Sequence, residues 1–344
     1  MFPSRQRLAV AALLLFLAGC QAPAPPPVPG EPRSVSFCFW NVENFFDDQN
    51  DQRPEADEPF DDWFASQPEA LRLKLERLTE ALLRLNNGRG PDVLALVEVE
   101  SPRAADLLRQ ALNAKLADPA FHYPHVLMKD LDAGRHIAPA IITRLPVVAD
   151  KTQLHGRQLR ILEGRINVNG HDLIVINAHW SARPSDETGA RRAKYGDQIY
   201  GVFKAMHRAN PKVSLLVCAD CNDAPDDLSV TKHLHASGDR DQVLAARGEP
   251  LLFNLLAGKD PRVFGTHTFR GQPHIYDQLF VSPALLDGAG GWTCLPETVR
   301  TVATTTRPTD KQRLPWRFGG PADQGERGYS DHFAVTVELK VAGK

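Results

Sequence analysis

With 344 residues, 42% of them hydrophobic and 24% charged, the chain has the make-up of a soluble globular protein long enough to bury a sizeable core. Its formal net charge of −2 argues against a protein that coats nucleic acid or acidic lipid by a global electrostatic pull, and leaves room only for a local basic groove. The length admits one large α/β domain or two small ones.

At the start, Arg5 and Arg7 precede an apolar run from Leu8 to Leu17 that is short for a bilayer span and reads as a secretory signal over residues 1–19. The run ends in Leu17-Ala18-Gly19-Cys20, which resembles the lipobox of bacterial lipoproteins, with Cys20 as the thiol to be lipidated. The alternative is an ordinary signal peptide with an incidental cysteine. Residues 20–33 are Pro-rich and read as an extended tether. The expectation is a lipid-anchored protein of the bacterial cell envelope, held to the membrane through Cys20, with residues 34–344 as one domain in the periplasm or outside the cell.

Residues 34–41 alternate like a first strand, and the acidic, Pro-containing stretch 47–67 reads as an exposed loop. Leu71, Leu75, Leu78, Leu82 and Leu85 recur on one helical face, which Asn87-Gly88 stops. Val93–Val97 is a short buried strand, and Ser101-Pro102 opens a second helix as N-cap and first residue. Ile137–Thr143 is strand-like, and residues 159–168 and 172–178 flank the hairpin signal Asn169-Gly170. Tyr195, Ile199, Val202 and Met206 mark another helix, followed by strands at Val213–Cys218, Tyr276–Val281 and Phe333–Leu339. Hairpins, apolar central strands and interspersed helices predict two packed sheets with helices outside. The other cysteines, Cys38, Cys218, Cys221 and Cys294, are expected to be structural, because Cys218-Ala-Asp-Cys221 lacks the second ligand pair a zinc site needs.

Polar residues gather where apolar runs end: Asn41, Glu98, His179, Asp220 with Asn222, Asp277, and Asp331 with His332. Any one of these is explained by loop solvation, but their recurrence suits phosphodiester hydrolysis. Glu98 and Asn41 offer the oxygen donors that a hard cation, Mg²⁺ or Mn²⁺, prefers. His332, oriented by Asp331 or another carboxylate, suits a general base that deprotonates water. His179 and Asn222 can donate to phosphoryl oxygens, and Asp220 can orient water or assist the leaving group.

Seven segments, Trp40–Asn44, Leu96–Glu100, Ala140–Arg144, Asn177–Trp180, Ala219–Asp223, Tyr276–Ser282 and Ser330–His332, resemble in order those of the endonuclease/exonuclease/phosphatase superfamily. The resemblance implies a four-layer α/β/β/α sandwich of two mainly antiparallel sheets flanked by helices. It also implies Asn41, Glu98 and Asp331 on the metal side, His179 as phosphate contact, Asp220 and Asn222 positioning water and phosphoryl group, and Asp277 orienting His332. Ala219 and Cys221 stand where the family usually has Gly and Phe, which puts local packing in question more than activity. Glu98 is expected as the ligand and Glu100 at the loop rim, although period-two alternation would set both on one sheet face. Arg144 and Arg183 are expected to bind substrate. Arg191 and Arg192 either join them or form a solvated helix face.

The resulting expectation is a metal-dependent phosphodiesterase, first a nuclease with DNA or RNA as its substrate. A sphingomyelinase-like lipid or small-molecule phosphodiesterase and a catalytically silent binding lipoprotein are the alternatives. The loops at 47–67, 223–265 and 300–328 carry no readable specificity signature. Arg300, Arg307, Lys311, Arg313 and Arg317 in the last are either a phosphate track or a solvated charge run.

Overall fold

The computed structural model describes residues 32–131, 134–307, 309 and 313–344. The leader, Cys20 and nearly all of the tether lie outside them, as does Lys311. In chain order the first half runs β1 (Arg33–Phe45), α1 (Glu58–Ser66), α2 (Pro68–Leu83), β2 (Val93–Val99), α3 (Pro102–Lys115), β3 (His125–Met128), β4 (Ala138–Thr143), β5 (Gln153–Leu154), β6 (Arg160–Val168) and β7 (His171–His179). The second half runs α4 (Ala190–Ala209), β8 (Leu215–Asp220), β9 (Ala236–Ser237), α5 (Arg240–Ala245), β10 (Leu252–Asn254), α6 (Pro261–Phe264), β11 (His267–Phe269), β12 (Gln272–His274), β13 (Asp277–Val281), α7 (Pro283–Asp287), β14 (Trp292–Val302) and β15 (Ala334–Val341).

The first sheet has the order β14-β15-β1-β2-β4-β3, the second β5-β6-β7-β8-β13-β10-β9, and β11-β12 is a separate hairpin. Pairing is mainly antiparallel, with β1–β2 and β7–β8 parallel at the two sheet centres. Those central strands are apolar on both faces because both faces are covered. Along β1, Val35, Phe37 and Phe39 enter the core between the sheets, while Cys38, Trp40 and Val42 pack under α1–α3. Along the second sheet, Val175, Leu216 and Cys218 face the other sheet and Ile176, Leu215 and Val217 face α4. The result is the expected four-layer sandwich. Asn177, fully buried between the sheets, donates through Nδ2 to the Leu96 and Ala140 carbonyls at 2.8 and 2.9 Å and ties the layers together at one end.

The expected Ser101 cap donates nothing to chance: its Oγ accepts the Ala104 N–H at 2.9 Å. The exposed loop expected at 47–67 is corrected. It contains α1, whose Trp63 and Phe64 are buried against Phe318. Its acids misled the reading, since Asp57 and Asp61 are buried acceptors of backbone N–H groups from Arg53 and His136. The stretch 223–265 likewise holds β9, α5, β10 and α6, and β14 was not foreseen because Pro296 and Glu297 interrupt its apolar pattern at a register shift. The four domain cysteines are buried free thiols, and burial pushes Cys218 and Cys221 well above the usual thiol range, so they are inert packing groups.

Candidate active site

The cleft forms where β1 and β2 end in one sheet, β7 and β8 end in the other, and β13 begins. Parallel pairing at both sheet centres is what brings Asn41, Glu98, His179 and Asp220 to the same end. In register, His179 pairs with Asp220 and Asp220 with Asp277, so three of these polar residues are set side by side by the ladder itself.

Asp220 is the hub. Its Oδ2 accepts Asn41 Nδ2 at 3.0 Å and lies 3.7 Å from His179 Nε2 and 3.8 Å from His332 Nε2. Its Oδ1 accepts the Asn222 N–H at 3.0 Å, across a turn in which Asn222 adopts φ +51°. Burial raises the Asp220 carboxyl above its ordinary range, against the pull of the two imidazoles. On the far side of His332, Nδ1 donates to Asp277 Oδ2 at 2.6 Å, so Nε2, which faces Asp220, is the nitrogen that exchanges a proton with the cleft. Burial opposes charge on His332, but the Asp277 and Asp220 carboxylates outweigh it and hold the imidazole well above its usual value. The backbone of His332 is pinned as well: Trp40 Nε1 donates to its carbonyl at 2.9 Å and its N–H donates to Ser330 Oγ at 3.1 Å.

Glu98 stands at φ +64°, where β2 loses register with β4 between Leu96 and Val99. This bulge breaks the period-two pattern, so Val97 faces the other sheet while Val99 faces the helices. Glu98 and Glu100 therefore do not share a face. Glu98 Oε1 accepts Asn41 Nδ2 at 3.2 Å and lies 3.6 Å from His179 Nε2; Oε2 accepts the Asn44 N–H at 2.9 Å. Although burial pushes it up, His179, Arg135 and these N–H donors bring its carboxyl to about 2. At neutral pH, His179 is itself uncharged, because burial and the Arg160 charge press it to about 4. Arg135 and the N–H donors are then what keep Glu98 ionised.

Several expectations are corrected. Glu100 is not at a rim: it is buried, accepts Arg53 Nε at 2.8 Å and the Asp47 N–H at 2.9 Å, and burial lifts it to about 7. Arg144 follows the end of β4 that pairs with Val93, the opposite end of β2 from Glu98. There it is buried against Asp92 at 3.6 Å, over the Tyr123 ring, and cannot reach a substrate in the cleft. Arg183 stands beside Asn222, donating to its carbonyl at 2.9 Å, but its charge is taken by Asp223 and Asp227 at 2.8 and 2.6 Å. It anchors the Asn222 loop. Arg192 is buried with Asp223 at 2.8 Å, not solvated and not free for phosphate. Arg313 and Arg317 are spent on loop structure, donating to the Gly265 carbonyl and to Glu43.

Two further residues border the site without a motif to mark them. Arg160 pairs with His179 across β6–β7, is half-buried, and has no ion pair or side-chain hydrogen bond among the described residues. Strand opposition to His179 is the signal that was available. His267 stacks on His332 with ring centres 4.3 Å apart and Nδ1 2.9 Å from the Asp331 carbonyl. His267, Asp331 and His332 bring ligand atoms within 4.8 Å of one another, as do Asp220, Asp277 and His332.

A hard divalent cation fits the metal side. Glu98 is ionised, and burial, with the Glu43 charge added to it, lifts Asp331 to about 7, so a bound cation would favour its ionised form. Glu98, Asp331 and Asn41 supply oxygens and no thiolate. In the present arrangement Asn41 bridges Glu98 and Asp220 through its amide nitrogen, while Oδ1 accepts the Glu43 N–H at 3.0 Å, so offering oxygen to a cation requires its amide to turn.

The sequence profile of the Endonuclease/Exonuclease/phosphatase family matches residues 36–341. No curated protein matches the chain. Among solved structures, it resembles Danio rerio TDP2 complexed with single-strand DNA product, with a TM-score of 0.52, 14% identity, and 89% of this chain and 98% of that one covered. An endonuclease/exonuclease/phosphatase family protein from Bacteroides thetaiotaomicron gives 0.50, 15%, 90% and 99%. The Staphylococcus aureus beta toxin 275-280 gives 0.50, 14%, 88% and 99%. At these identities the likeness is one of fold.

Proposed function

The chain belongs to the endonuclease/exonuclease/phosphatase family, whose members are phosphoester hydrolases that use divalent metals, and on that premise we propose that it is a metal-dependent nuclease acting on DNA or RNA. The observation that carries the reading is the Asp277–His332 pair at 2.6 Å facing Asp220, with Asn41, Glu98 and His179 around the same carboxylate.

In this reading the neutral form of His332 takes the proton of the attacking water at Nε2, and Asp277 fixes the tautomer and the ring orientation. Asp220 holds that water in line. His179, neutral at pH 7, donates to a phosphoryl oxygen, as does Asn222. Glu98, Asn41 and Asp331 would hold Mg²⁺ or Mn²⁺, which would supply charge neutralisation at the phosphoryl group. Arg160 supplies the cation for the scissile phosphate that Arg144 and Arg183 do not. Nucleic acid is favoured over lipid by what borders the site. The β11–β12 hairpin carries Phe269, His274 and Arg270, and the His274 ring stacks at 5.0 Å on Tyr276, a surface suited to bases and phosphates. Large apolar residues that are exposed are limited, among the described residues, to Leu228 and Val263, too few to enter a bilayer. Attachment to the envelope through Cys20 completes the proposed setting.

The test is competition among substrates. The full-length protein with Mg²⁺ is offered single-stranded DNA, RNA, sphingomyelin and bis(p-nitrophenyl) phosphate. Preferential cleavage of a nucleic acid is expected, whereas preference for sphingomyelin would replace the nuclease reading with a lipid phosphodiesterase.

A further inference from the structure

Lys74 lies on the buried face of α2, in step with Leu71, Leu78 and Leu82, and is fully buried. A lysine at such a position is expensive to desolvate unless its protons are all used. They are. Nζ donates to the carbonyls of Val42 at 2.6 Å, Glu43 at 3.0 Å and Tyr329 at 3.1 Å, and sits 4.5 Å from the Phe318 ring centre.

These carbonyls belong to two segments far apart in sequence, which Lys74 bridges. Val42 and Glu43 follow Asn41, on a backbone that turns left-handed at Glu43 (φ +54°) and Asn44 (φ +46°). Two consecutive non-glycine residues in that region are strained and need an external hold. The Asn44 N–H presented by this turn is the one that binds Glu98 Oε2 at 2.9 Å. Tyr329 precedes Ser330, Asp331 and His332. Ser330 Oγ donates to the Asn41 carbonyl at 2.6 Å, adding a second stitch between the segments. Glu43 in turn accepts the N–H groups of Phe318 and Gly319 at 2.7 and 3.1 Å, closing the third side.

We infer that Lys74 is a positioning residue of the hydrolytic cleft: its ammonium, shared among three carbonyls, fixes the Asn41–Asn44 turn against the Tyr329–His332 segment, and so sets the metal side and the general base in register. The inference rests on the reading of this cleft as the hydrolytic site. Lys74 touches neither substrate nor metal, and it acts through the backbone of residues that do. A hydrophobic residue would pack at the same helical position but leave three buried carbonyls without donors.

The test compares Lys74→Met, Lys74→Arg and, as a packing control on the same face, Leu78→Ala, each in the full chain. Amide hydrogen exchange is followed at residues 42–44 and 329–332, Mn²⁺ affinity is measured by titration of the metal alone, and kcat and KM are measured separately. Lys74→Met is expected to speed exchange in both segments, weaken Mn²⁺ binding by about tenfold and lower kcat with KM little changed, in the range found when groups supporting metal ligands are removed. Leu78→Ala is expected to destabilise the protein while leaving both segments and Mn²⁺ affinity as in wild type. If Lys74→Met does not fold, Lys74→Arg decides, with the same split expected in weaker form. Unchanged exchange in the two segments, or changes no larger than those of Leu78→Ala, would overturn the inference. A wild type that neither binds Mn²⁺ nor cleaves any substrate would instead remove the hydrolytic reading, while the exchange data would still decide whether Lys74 couples the segments.

Discussion

The two ends of the sandwich are built from the same strands and differ in how much of their buried charge is paired. At the end where β2 begins, the buried acid Asp92 meets Arg144, and midway along β6 in the other sheet buried Glu163 meets Arg165 and His155. At the other end, Asp220, Asp277, Glu98 and Asp331 crowd around two histidines with no arginine in a salt bridge to any of the four among the described residues; the arginines nearby pair with other acids, Arg53 with Glu100 and Arg192 with Asp223, and His179 Nδ1 and Asp277 Oδ1 are buried without hydrogen-bond partners. Left-handed non-glycine residues occur at both ends, but away from the cleft they include asparagines in turns (Asn86, Asn87, Asn169), whereas beside the cleft they include the glutamates Glu43 and Glu98 as well as Asn44 and Asn222. Strained backbone and unneutralised charge are costs a fold carries where a ligand is to offset them. The same sequence device, a polar residue at a strand end, therefore means stability at one end and chemistry at the other.

Substitutions at the two ends sharpen that contrast. The largest effect is expected from Asp277→Asn, which keeps the shape but deprives His332 of its orienting charge: kcat should fall by about 10³-fold or more, in steady-state assays, with the fold retained. Arg144→Ala should do the reverse, lowering unfolding free energy by about 3 kcal/mol in urea titrations by leaving Asp92 short of a partner, with kcat/KM unchanged. A loss of activity in folded Arg144→Ala would break the division between the ends. Arg160→Ala should raise KM by about tenfold and move kcat less, as expected for a charged contact to phosphate worth about 1.4 kcal/mol. The smallest effect is a pH dependence. Hydrogen bonds from His155 and Gln153, outweighing burial, hold Glu163 below its ordinary 4.5, so the stability it contributes is present above that value and lost as pH falls through the lower folded one. Glu163→Gln should flatten the decline in unfolding free energy measured on the acid side of pH 4.5, and leave activity at neutral pH as it was.

Much of this was legible in the chain. The central strands announced themselves as apolar runs ending in polar residues, and the hairpin at Asn169-Gly170 and the cap at Ser101 followed local rules that tertiary packing did not override. The polar set came together because those runs pair in parallel at both sheet centres. What escaped notice depends on partners distant in sequence. Arg144 and Arg183 look like phosphate ligands until Asp92, Asp223 and Asp227 are seen beside them. Glu100 looks like a rim acid until Arg53 covers it. Lys74 reads as an ordinary polar interruption of a leucine face, because nothing local says that three carbonyls from two other segments converge on it.

Hydrolysis at His332 supported by a divalent metal is checked by the rate of single-stranded DNA cleavage by the full-length protein in Mg²⁺ and in EDTA, for wild type and His332→Ala. Wild type is expected to cleave in Mg²⁺ but not in EDTA, and His332→Ala to cleave about 10³-fold or more slowly. Equal cleavage by folded His332→Ala, or wild-type cleavage that survives EDTA, would contradict this mechanism.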